Sequence, residues 1–187
     1  MGKLIVVEWL SLDGIFDADL FGSWFFPFDS VERQQYIKRT TLANTAILYG
    51  RNTYDELASY WPQNTDPALS EITKKLNQTP KYVVSTQLKN AHWQNTTILS
   101  DHVFEQIRQL KEQPGQIIHV NGSATLVKSL ASAGLIDELQ LLIHPVVLGA
   151  GKKFFLEDMG ISGIQPTDIQ QMEQGVVLMT YQVGGGY

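Results

Sequence analysis

Three short segments of this sequence combine residue types that suit the binding of phosphate groups. Gly50-Arg51-Asn52-Thr53 offers a glycine that lets the backbone approach a ligand closely and an arginine whose planar donor fork fits a phosphate. In Asn121-Gly122-Ser123-Ala124-Thr125 the small side chains leave backbone N–H groups free to face an anion. Ser85 and Thr86 add hydroxyls that can bind phosphate or ribose. Taken singly, each segment is also typical of an ordinary turn or loop.

Each of these segments follows an apolar run of strand length. The runs that predict strands are Leu4–Trp9, Ala46–Tyr49, Tyr82–Ser85, Ile117–Val120, Glu138–Leu148 and Val176–Val183. Helical patterns lie between these runs. They are Val31–Leu42, a segment that follows Asp101 as its N-cap, and a segment that opens at Ser123 and ends before Gly134, a glycine typical of the position after a helix. The stretch Pro62–Pro67 predicts a loop.

This alternation of strands and helices predicts an α/β fold with a mostly parallel central sheet. The last two runs are long and consecutive, which predicts an antiparallel pair at the C-terminal edge of the sheet. Ligands of such sheets bind beyond the carboxyl ends of the strands. Because the three segments all follow strands, we expect them to meet at one edge and to form a single groove.

Composition narrows the function classes. The net charge is −5 and the 14 Lys and Arg are scattered, which disfavours a nucleic-acid-binding protein. The chain lacks cysteine, which excludes disulfides and thiolate nucleophiles, and its four histidines show no metal-binding spacing. Glu8 interrupts the N-terminal apolar run too early for a signal peptide, and no segment predicts a membrane span, so the expected location is cytoplasmic. The length predicts one domain over 1–183 with a flexible glycine tail at 184–187.

Three other features have open or structural interpretations. The aromatic cluster Trp24–Phe28 could pack in the core, contact another subunit or provide a wall on which a flat ring stacks. Gly149–Lys153 lacks the spacing of a P-loop or a dinucleotide fingerprint and predicts a turn. His119 and His144 lie in predicted strands, where a core or surface role is more common than metal ligation.

Several segments in the same order resemble the dihydrofolate-reductase-like superfamily, and most closely the branch similar to the C-terminal reductase domain of the bifunctional riboflavin-biosynthesis deaminase–reductase. The matching segments cover nearly the whole chain: Ser11–Gly14, Tyr49–Tyr54, Val83–Thr86, Gly122–Leu126, Gly134–Leu139 and Pro145–Phe154. The last of these segments is the most specific.

The resemblance implies a three-layer fold that binds NADPH across the strand ends. It implies that Gly50, Arg51 and Thr53 meet the adenosine phosphates, with Arg51 on the 2′-phosphate, and that Ser85 and Thr86 lie near the adenosine end. By the same resemblance Gly122, Ser123, Ala124 and Thr125 hold the pyrophosphate. The backbone around Trp9 then lies near the nicotinamide, under a mobile loop formed by Ser11–Phe16.

Folate-reducing members of the superfamily carry a carboxylate early in the first long helix, and that position falls near Glu32 and Arg33 here. The carboxylates that could supply or orient the proton of a reduction are Asp13, Glu8 and Glu32. Asp13 has a structural alternative, in which it only stabilises its turn with Gly14.

The leading hypothesis is an NADPH-dependent reductase that transfers a hydride to a small heterocyclic substrate such as a pteridine, pyrimidine or folate-like compound. The alternative is a nucleotide-binding protein without turnover on the same fold, and a third possibility is a structural subunit that assembles through the aromatics around Phe25. Long edge strands at Glu138–Leu148 and Val176–Val183, together with the resemblance, predict a homodimer.

Overall fold

The computed structural model describes residues 1–184 and contains one eight-stranded sheet flanked by helices on both faces. The strands are β1 Lys3–Ser11, β2 Ala46–Gly50, β3 Lys81–Val84, β4 Thr96–Leu99, β5 Ile117–Val120, β6 Glu138–His144, β7 Ile164–Gln171 and β8 Val177–Val183. The helices are α1 Phe21–Trp24, α2 Val31–Ala43, α3 Arg51–Tyr60, α4 Ser70–Gln78, α5 Val103–Glu112 and α6 Ala124–Ser132.

The spatial order of the strands is β4-β3-β2-β5-β1-β6-β8-β7. The first six are parallel to one another, β8 is antiparallel to β6, and β7 is antiparallel to β8. The prediction of a mostly parallel sheet with an antiparallel C-terminal edge is therefore confirmed.

Strand β1 shows why the sheet lies between two helical layers. Its side chains are apolar on both faces: Leu4 and Val6 belong to the core cluster that includes α5 and α6, whereas Ile5 and Val7 pack with Tyr36 of α2. A strand that is apolar on both faces must be covered on both sides, and this pattern is what predicted the covered sheet from the sequence. The predicted three-layer arrangement is confirmed.

Two strands were not predicted. Strand β4 is a four-residue segment that begins with two threonines, and all eight residues of β7 are exposed, so neither carries the apolar pattern by which strands are recognised. The predicted strand Glu138–Leu148 is too long, because it ends at His144 before Pro145, which has no N–H to donate. Short 3₁₀ turns, at Trp61–Gln63 and Pro67–Leu69, border the stretch that was predicted as a loop.

The prediction that the last two long runs are consecutive edge strands is wrong. Strand β7 lies between β6 and β8 in the chain, and both β6 and β8 are paired on both sides within the sheet. The outer edge on this side belongs to β7, which contains Pro166 and a bulge before Asp168.

The sheet begins at Lys3 and ends at Val183, so it draws on nearly all of the described chain. Gly184, the first residue of the predicted flexible tail, donates its N–H to the carbonyl of Gly163 at 3.1 Å, and 185–187 lie outside the described residues. Within residues 1–184 there is no helix with the length and apolarity needed to cross a membrane.

Candidate functional site

The turns after β2 and β5 touch each other at the carboxyl end of the sheet. The Gly50 N–H donates to the Gly122 carbonyl at 3.2 Å. A Cβ on Gly50 would collide with the Ser123 hydroxyl, and a Cβ on Gly122 would lie 2.9 Å from Thr53 Oγ1. Gly122 also has φ +66°, a conformation that favours glycine. Both glycines therefore allow two neighbouring strand ends to approach more closely than other residues permit.

Three helix N-termini open onto one cavity of about 470 Å³ beside these turns. Helix α3 begins at Arg51, α5 begins after His102, and α6 begins after Ser123. Gly50, His102 and Ser123 line the cavity together with Arg51 and Thr125. Because each N-terminus carries partial positive charge and free N–H groups, three of them around one cavity favour a ligand with several anionic groups.

The charged side chains of the cavity lie on different elements. Arg51 is the cation on the α3 side, whereas Asp101 and Glu105 belong to the segment that forms the start of α5. Because like charges repel, we expect phosphate groups to bind on the Arg51 and α6 side and not against the two carboxylates. Asp101 is also the type of residue that accepts a hydrogen bond from a ribose hydroxyl.

Glu8 lies beneath the turn that follows β5. Its side chain is buried, and Oε1 accepts a hydrogen bond from the Gly122 N–H at 2.5 Å. Burial raises the pKa of the Glu8 carboxyl from an ordinary 4.5 to about 8, and the bond from Gly122 lowers it only in part. The carboxyl therefore holds a proton at neutral pH.

Asp13 is exposed and stabilises two loops. It accepts hydrogen bonds from the Ser11 hydroxyl at 2.6 Å and from the backbone N–H groups of Gly149 and Leu148 at 2.8 and 3.2 Å. These bonds lower the pKa of Asp13 to about 2. The carboxylate is thus ionised at neutral pH and has no proton to donate there.

Glu32 lies in the first turn of α2 and is exposed. Its Oε2 accepts the Glu173 N–H at 2.8 Å, which ties α2 to the segment before β8. In this position Glu32 points towards a surface turn, whereas its neighbour Arg33 is buried.

Residues 21–28 form an aromatic cap over the end of β1. Trp24 is fully buried and lies edge-on to His144 of β6, with ring centroids 5.2 Å apart. Phe25 is half-buried and lies edge-on to Trp9 with centroids 5.5 Å apart, and Phe26 is 62% exposed. Trp24 thus packs in the core, whereas Phe25 and Phe26 remain available for the other two roles considered above.

Arg33 anchors the cap from the first turn of α2. Its guanidinium donates to the Phe25 carbonyl at 2.7 Å, to Asp29 Oδ1 at 2.8 Å and to His144 Nε2 at 3.2 Å. Burial lowers the pKa of His144 to about 4, so the ring is neutral. Its Nδ1 lies 3.1 Å from the Leu10 carbonyl, so Nδ1 carries the hydrogen and Nε2 accepts from Arg33.

Two buried N–H donors of this region have no acceptor within residues 1–184. They are the indole Nε1 of Trp9 and the Nε of Arg33. An unpaired buried donor costs about 1–3 kcal/mol, so native structures rarely retain one without a role.

The amino-acid sequence matches the model of one protein family, the RibD C-terminal domain, over residues 2–178. The chain belongs to the RibD C-terminal domain family. Two curated relatives come from Bacillus subtilis (strain 168). "Uncharacterized protein YyaP" is 33% identical over 139 residues, which cover 74% of each chain. "Uncharacterized protein YwjB" is 25% identical over 177 residues, which cover 94% of this chain and 95% of the relative.

Solved structures show the same fold. A candidate riboflavin biosynthesis protein from Shewanella sp. PV-4 has a TM-score of 0.72 at 19% identity, over 97% of this chain and 99% of the other. A pyrimidine reductase-like protein from Corynebacterium diphtheriae has a TM-score of 0.66 at 12% identity, over 97% and 92% of the two chains. The resemblance inferred from the sequence is confirmed by the family match, and the fold by these structures.

The structure brings most of the predicted cofactor residues together. Gly50, Arg51, Ser123 and Thr125 line the cavity, while Thr53 contacts the Gly122 turn and Ala124 begins α6. Trp9 is not among the residues that line the cavity and lies beneath the aromatic cap. The predicted roles of these residues remain predictions.

Ser85 and Thr86 are not among the residues that line the cavity. The Ser85 hydroxyl accepts the N–H groups of Gln87 and Leu88, which stabilises its own turn, and Thr86 is exposed. Val84 lines the cavity instead, together with Ser100–His102 after β4. That segment was missed because β4 was not recognised as a strand, so nothing in the sequence placed its end at this edge.

Proposed function

We propose that this protein is an NADPH-dependent reductase of a small heterocyclic compound. The observation that carries the proposal is the convergence of three helix N-termini and Arg51 on one cavity of about 470 Å³. A dinucleotide with a 2′-phosphate presents three phosphate groups, which match this concentration of N–H donors and positive charge. Membership of a family named for the RibD C-terminal domain and a pyrimidine reductase-like structural neighbour agree with a reductase.

The chain would contribute binding, orientation and a proton, since bound NADPH supplies the hydride. Arg51 and the N-terminus of α3 would hold the 2′-phosphate, and Ser123, Thr125 and the N-terminus of α6 would hold the pyrophosphate. The backbone around Trp9 would lie beside the nicotinamide, at the end of β1 near the aromatic cap.

Among the three carboxylates considered for proton transfer, Glu8 fits best. Its pKa of about 8 leaves the acid protonated near neutral pH, whereas that of Asp13, at about 2, leaves a carboxylate. The hydrogen bond from the Gly122 N–H places the Glu8 carboxyl beneath the proposed pyrophosphate site, on the face of β1 opposite the Trp9 side chain. For Asp13 we propose only that it orients a water. The Glu32 carboxylate already accepts a hydrogen bond from the Glu173 N–H.

Replacement of Arg51 by alanine tests the cofactor assignment. We expect NADPH binding to weaken by about 1–3 kcal/mol, because a charged hydrogen bond to the 2′-phosphate is lost, while NADH binding changes little. Calorimetry with both nucleotides on wild type and variant measures this difference, and Arg108→Ala, a surface arginine of α5 outside the cavity lining, is the matched control. Equal weakening of both nucleotides, or a wild type that prefers NADH through Asp101, would contradict the NADPH assignment.

The alternative is a nucleotide-binding protein without turnover. Its supporting observation is that the Phe25 ring packs against Trp9, where a substrate ring would have to enter. Oxidation of NADPH in the presence of pteridines, pyrimidines or simple carbonyl compounds distinguishes the two functions. Thermal stabilisation by NADPH without any such oxidation would favour the alternative.

We also propose that the protein is a homodimer. The unpaired edge of β7 presents two exposed isoleucines, Ile164 at 42% and Ile169 at 60% exposure, and a two-fold axis would bring two such edges together. We expect sedimentation equilibrium to give twice the chain mass of 21.0 kDa for wild type and a shift towards one chain for Ile169→Lys. A monomeric wild type would rule the dimer out.

A further inference from the structure

We infer that Tyr54 is a positioning residue for the cofactor, because its hydroxyl fixes the first turn of α3 and with it Arg51. The inference rests on the proposed function for the contact between Arg51 and the 2′-phosphate. It goes beyond that function by assigning part of the choice between NADPH and NADH to a buried tyrosine that is not among the residues lining the cavity.

Helix α3 begins without a side-chain cap. Its N-cap is Gly50, and Arg51, the first residue of the helix, is exposed. A helix end that lacks a capping side chain frays easily, so the direction of Arg51 needs support from another contact. Tyr54 is the one buried residue of α3, and three positions along the helix it is a neighbour of Arg51 on the helix surface. Within α3, Tyr54 is therefore the side chain best placed to hold the first turn.

The Tyr54 hydroxyl joins α3 to the segment between β3 and β4. It accepts the backbone N–H of Trp93 at 3.0 Å, and Tyr54 is only 2% exposed. This bond attaches α3 to a different part of the chain at a point one turn from Arg51. A phenylalanine would fill the same space but would leave the buried Trp93 N–H without this acceptor.

Trp93 is itself held from two sides. Its indole Nε1 donates to Asn77 Oδ1 of α4 at 2.6 Å. Lys81, the first residue of β3, is fully buried, and its Nζ lies 4.6 Å from the centroid of the Trp93 ring, where it makes a cation–π contact. The same Nζ donates to the carbonyls of Leu76 and Thr79 at 2.8 Å each. The hydroxyl that holds α3 is therefore bonded to a fixed point of the fold.

The position of the first turn matters for selectivity because a charged hydrogen bond depends steeply on geometry. The Arg51 guanidinium would bind the 2′-phosphate through a planar fork of donors, and a displacement of about 1 Å misaligns such a fork. NADH lacks the 2′-phosphate, and in the proposed function it shares with NADPH the contacts at α6 and at the nicotinamide. A loosened α3 should therefore weaken NADPH binding more than NADH binding.

The test is calorimetry of NADPH and NADH binding to wild type and Tyr54→Phe. We expect the ratio of the NADH to the NADPH dissociation constant to fall about fivefold in the variant, as for one misaligned hydrogen bond. Tyr36→Phe is the matched control, because Tyr36 is a tyrosine of α2 that is 3% exposed and donates one hydrogen bond to Gln140 Oε1 at 2.6 Å. A merely structural role of Tyr54 would lower stability in both variants and leave the ratio unchanged.

The same comparison in an Arg51→Ala background shows whether Tyr54 acts through Arg51. There Tyr54→Phe should leave the ratio unchanged, because two residues that act through one contact are not additive. A fall of the ratio that persists in this background, or a ratio in Tyr54→Phe equal to that in Tyr36→Phe, would overturn the inference.

Hydrogen exchange of the α3 amide groups, measured without nucleotide, separates the inference from the proposed function. Exchange should be about tenfold faster in Tyr54→Phe than in wild type and unchanged in Tyr36→Phe, because the first turn of α3 opens more often. Exchange that is no faster in Tyr54→Phe would also overturn the inference. If exchange rises as expected but Arg51→Ala leaves the ratio unchanged, the assignment of the 2′-phosphate fails while the anchoring of α3 by Tyr54 stands.

Discussion

Replacing Glu8 with glutamine should raise the free energy of unfolding, relative to wild type, by about 4 kcal/mol more at pH 9 than at pH 5. The side chain is buried, and burial raises the pKa of the carboxyl from 4.5 to about 8. Between pH 4.5 and about pH 8, Glu8 is protonated more fully in the folded protein than in the unfolded chain. The free energy of unfolding contributed by Glu8 is therefore highest below pH 4.5 and falls as the pH rises through about 8.

Glutamine keeps the structural bond without the titration. Its amide oxygen can accept the Gly122 N–H as Glu8 Oε1 does, and it carries no charge at any pH. Burial and the hydrogen bond from the Gly122 N–H are the causes of the Glu8 pKa shift, and no ionised side chain contributes to it. The pH dependence should therefore belong to Glu8 alone.

The measurement is urea unfolding of wild type and Glu8→Gln between pH 5 and pH 9. The difference in unfolding free energy between the two proteins removes the contribution of all groups that they share. Glu56→Gln, at an exposed position of α3, controls for the loss of one charge and should show a flat difference. A flat difference for Glu8→Gln would show that Glu8 titrates normally in the folded protein.

NADPH binding should also depend on whether Glu8 is protonated. Above pH 8 the ionised carboxylate would lie beneath the turn proposed to hold the pyrophosphate, so NADPH affinity should fall with rising pH in wild type and stay constant in Glu8→Gln. The same calorimetric titrations that test Arg51 measure this.

The second large effect is expected at Gly122. Its φ of +66° disfavours any residue with a Cβ by about 1–2 kcal/mol. A Cβ there would also lie 2.9 Å from Thr53 Oγ1. Gly122→Ala should therefore shift the turn and misalign the N–H groups at the start of α6. We expect a loss of NADPH affinity of about 10–100-fold, since each charged hydrogen bond contributes about 1.5–3 kcal/mol.

Gly115→Ala is the matched control for this variant. Gly115 has φ +72°, so alanine meets the same backbone strain, but no atom lies within 4 Å of its Cβ position. We expect Gly115→Ala to lower stability and leave NADPH binding unchanged. If Gly122→Ala binds NADPH as tightly as Gly115→Ala does, the turn after β5 is not the phosphate site.

Much of the fold was predictable because it depends on local patterns. Helix α2 was predicted at Val31–Leu42 and observed at Val31–Ala43, since Ser30 caps it and its polar face is readable. Helix α6 begins after Ser123 as predicted, and Gly134 has the positive φ expected after its end. Strands β1, β2 and β5 were predicted because they are apolar on both faces. Such runs are typical of parallel strands that are covered on both sides.

The partners of the site residues could not be read in the same way. Glu8 and Gly122 are 114 positions apart, and Arg33 and His144 are 111 apart. Whether a glutamate near a strand end is exposed and ionised or buried and protonated depends on the neighbouring strand, which no local pattern specifies. Strands β4 and β7 were missed for the related reason that their own residues carry no strand pattern, and their places in the sheet are set by pairing with β3 and β8.

The order of residue types along the chain was enough to identify the family and to mark the turns at Gly50 and Gly122 as phosphate-binding candidates, because a glycine beside a strand end is a local requirement. The protonated state of Glu8, the absence of Ser85 from the cavity and the two unpaired donors around Phe25 emerged from folding alone. They depend on burial and on contacts between distant segments, and these exist only once the layers of the sheet have packed.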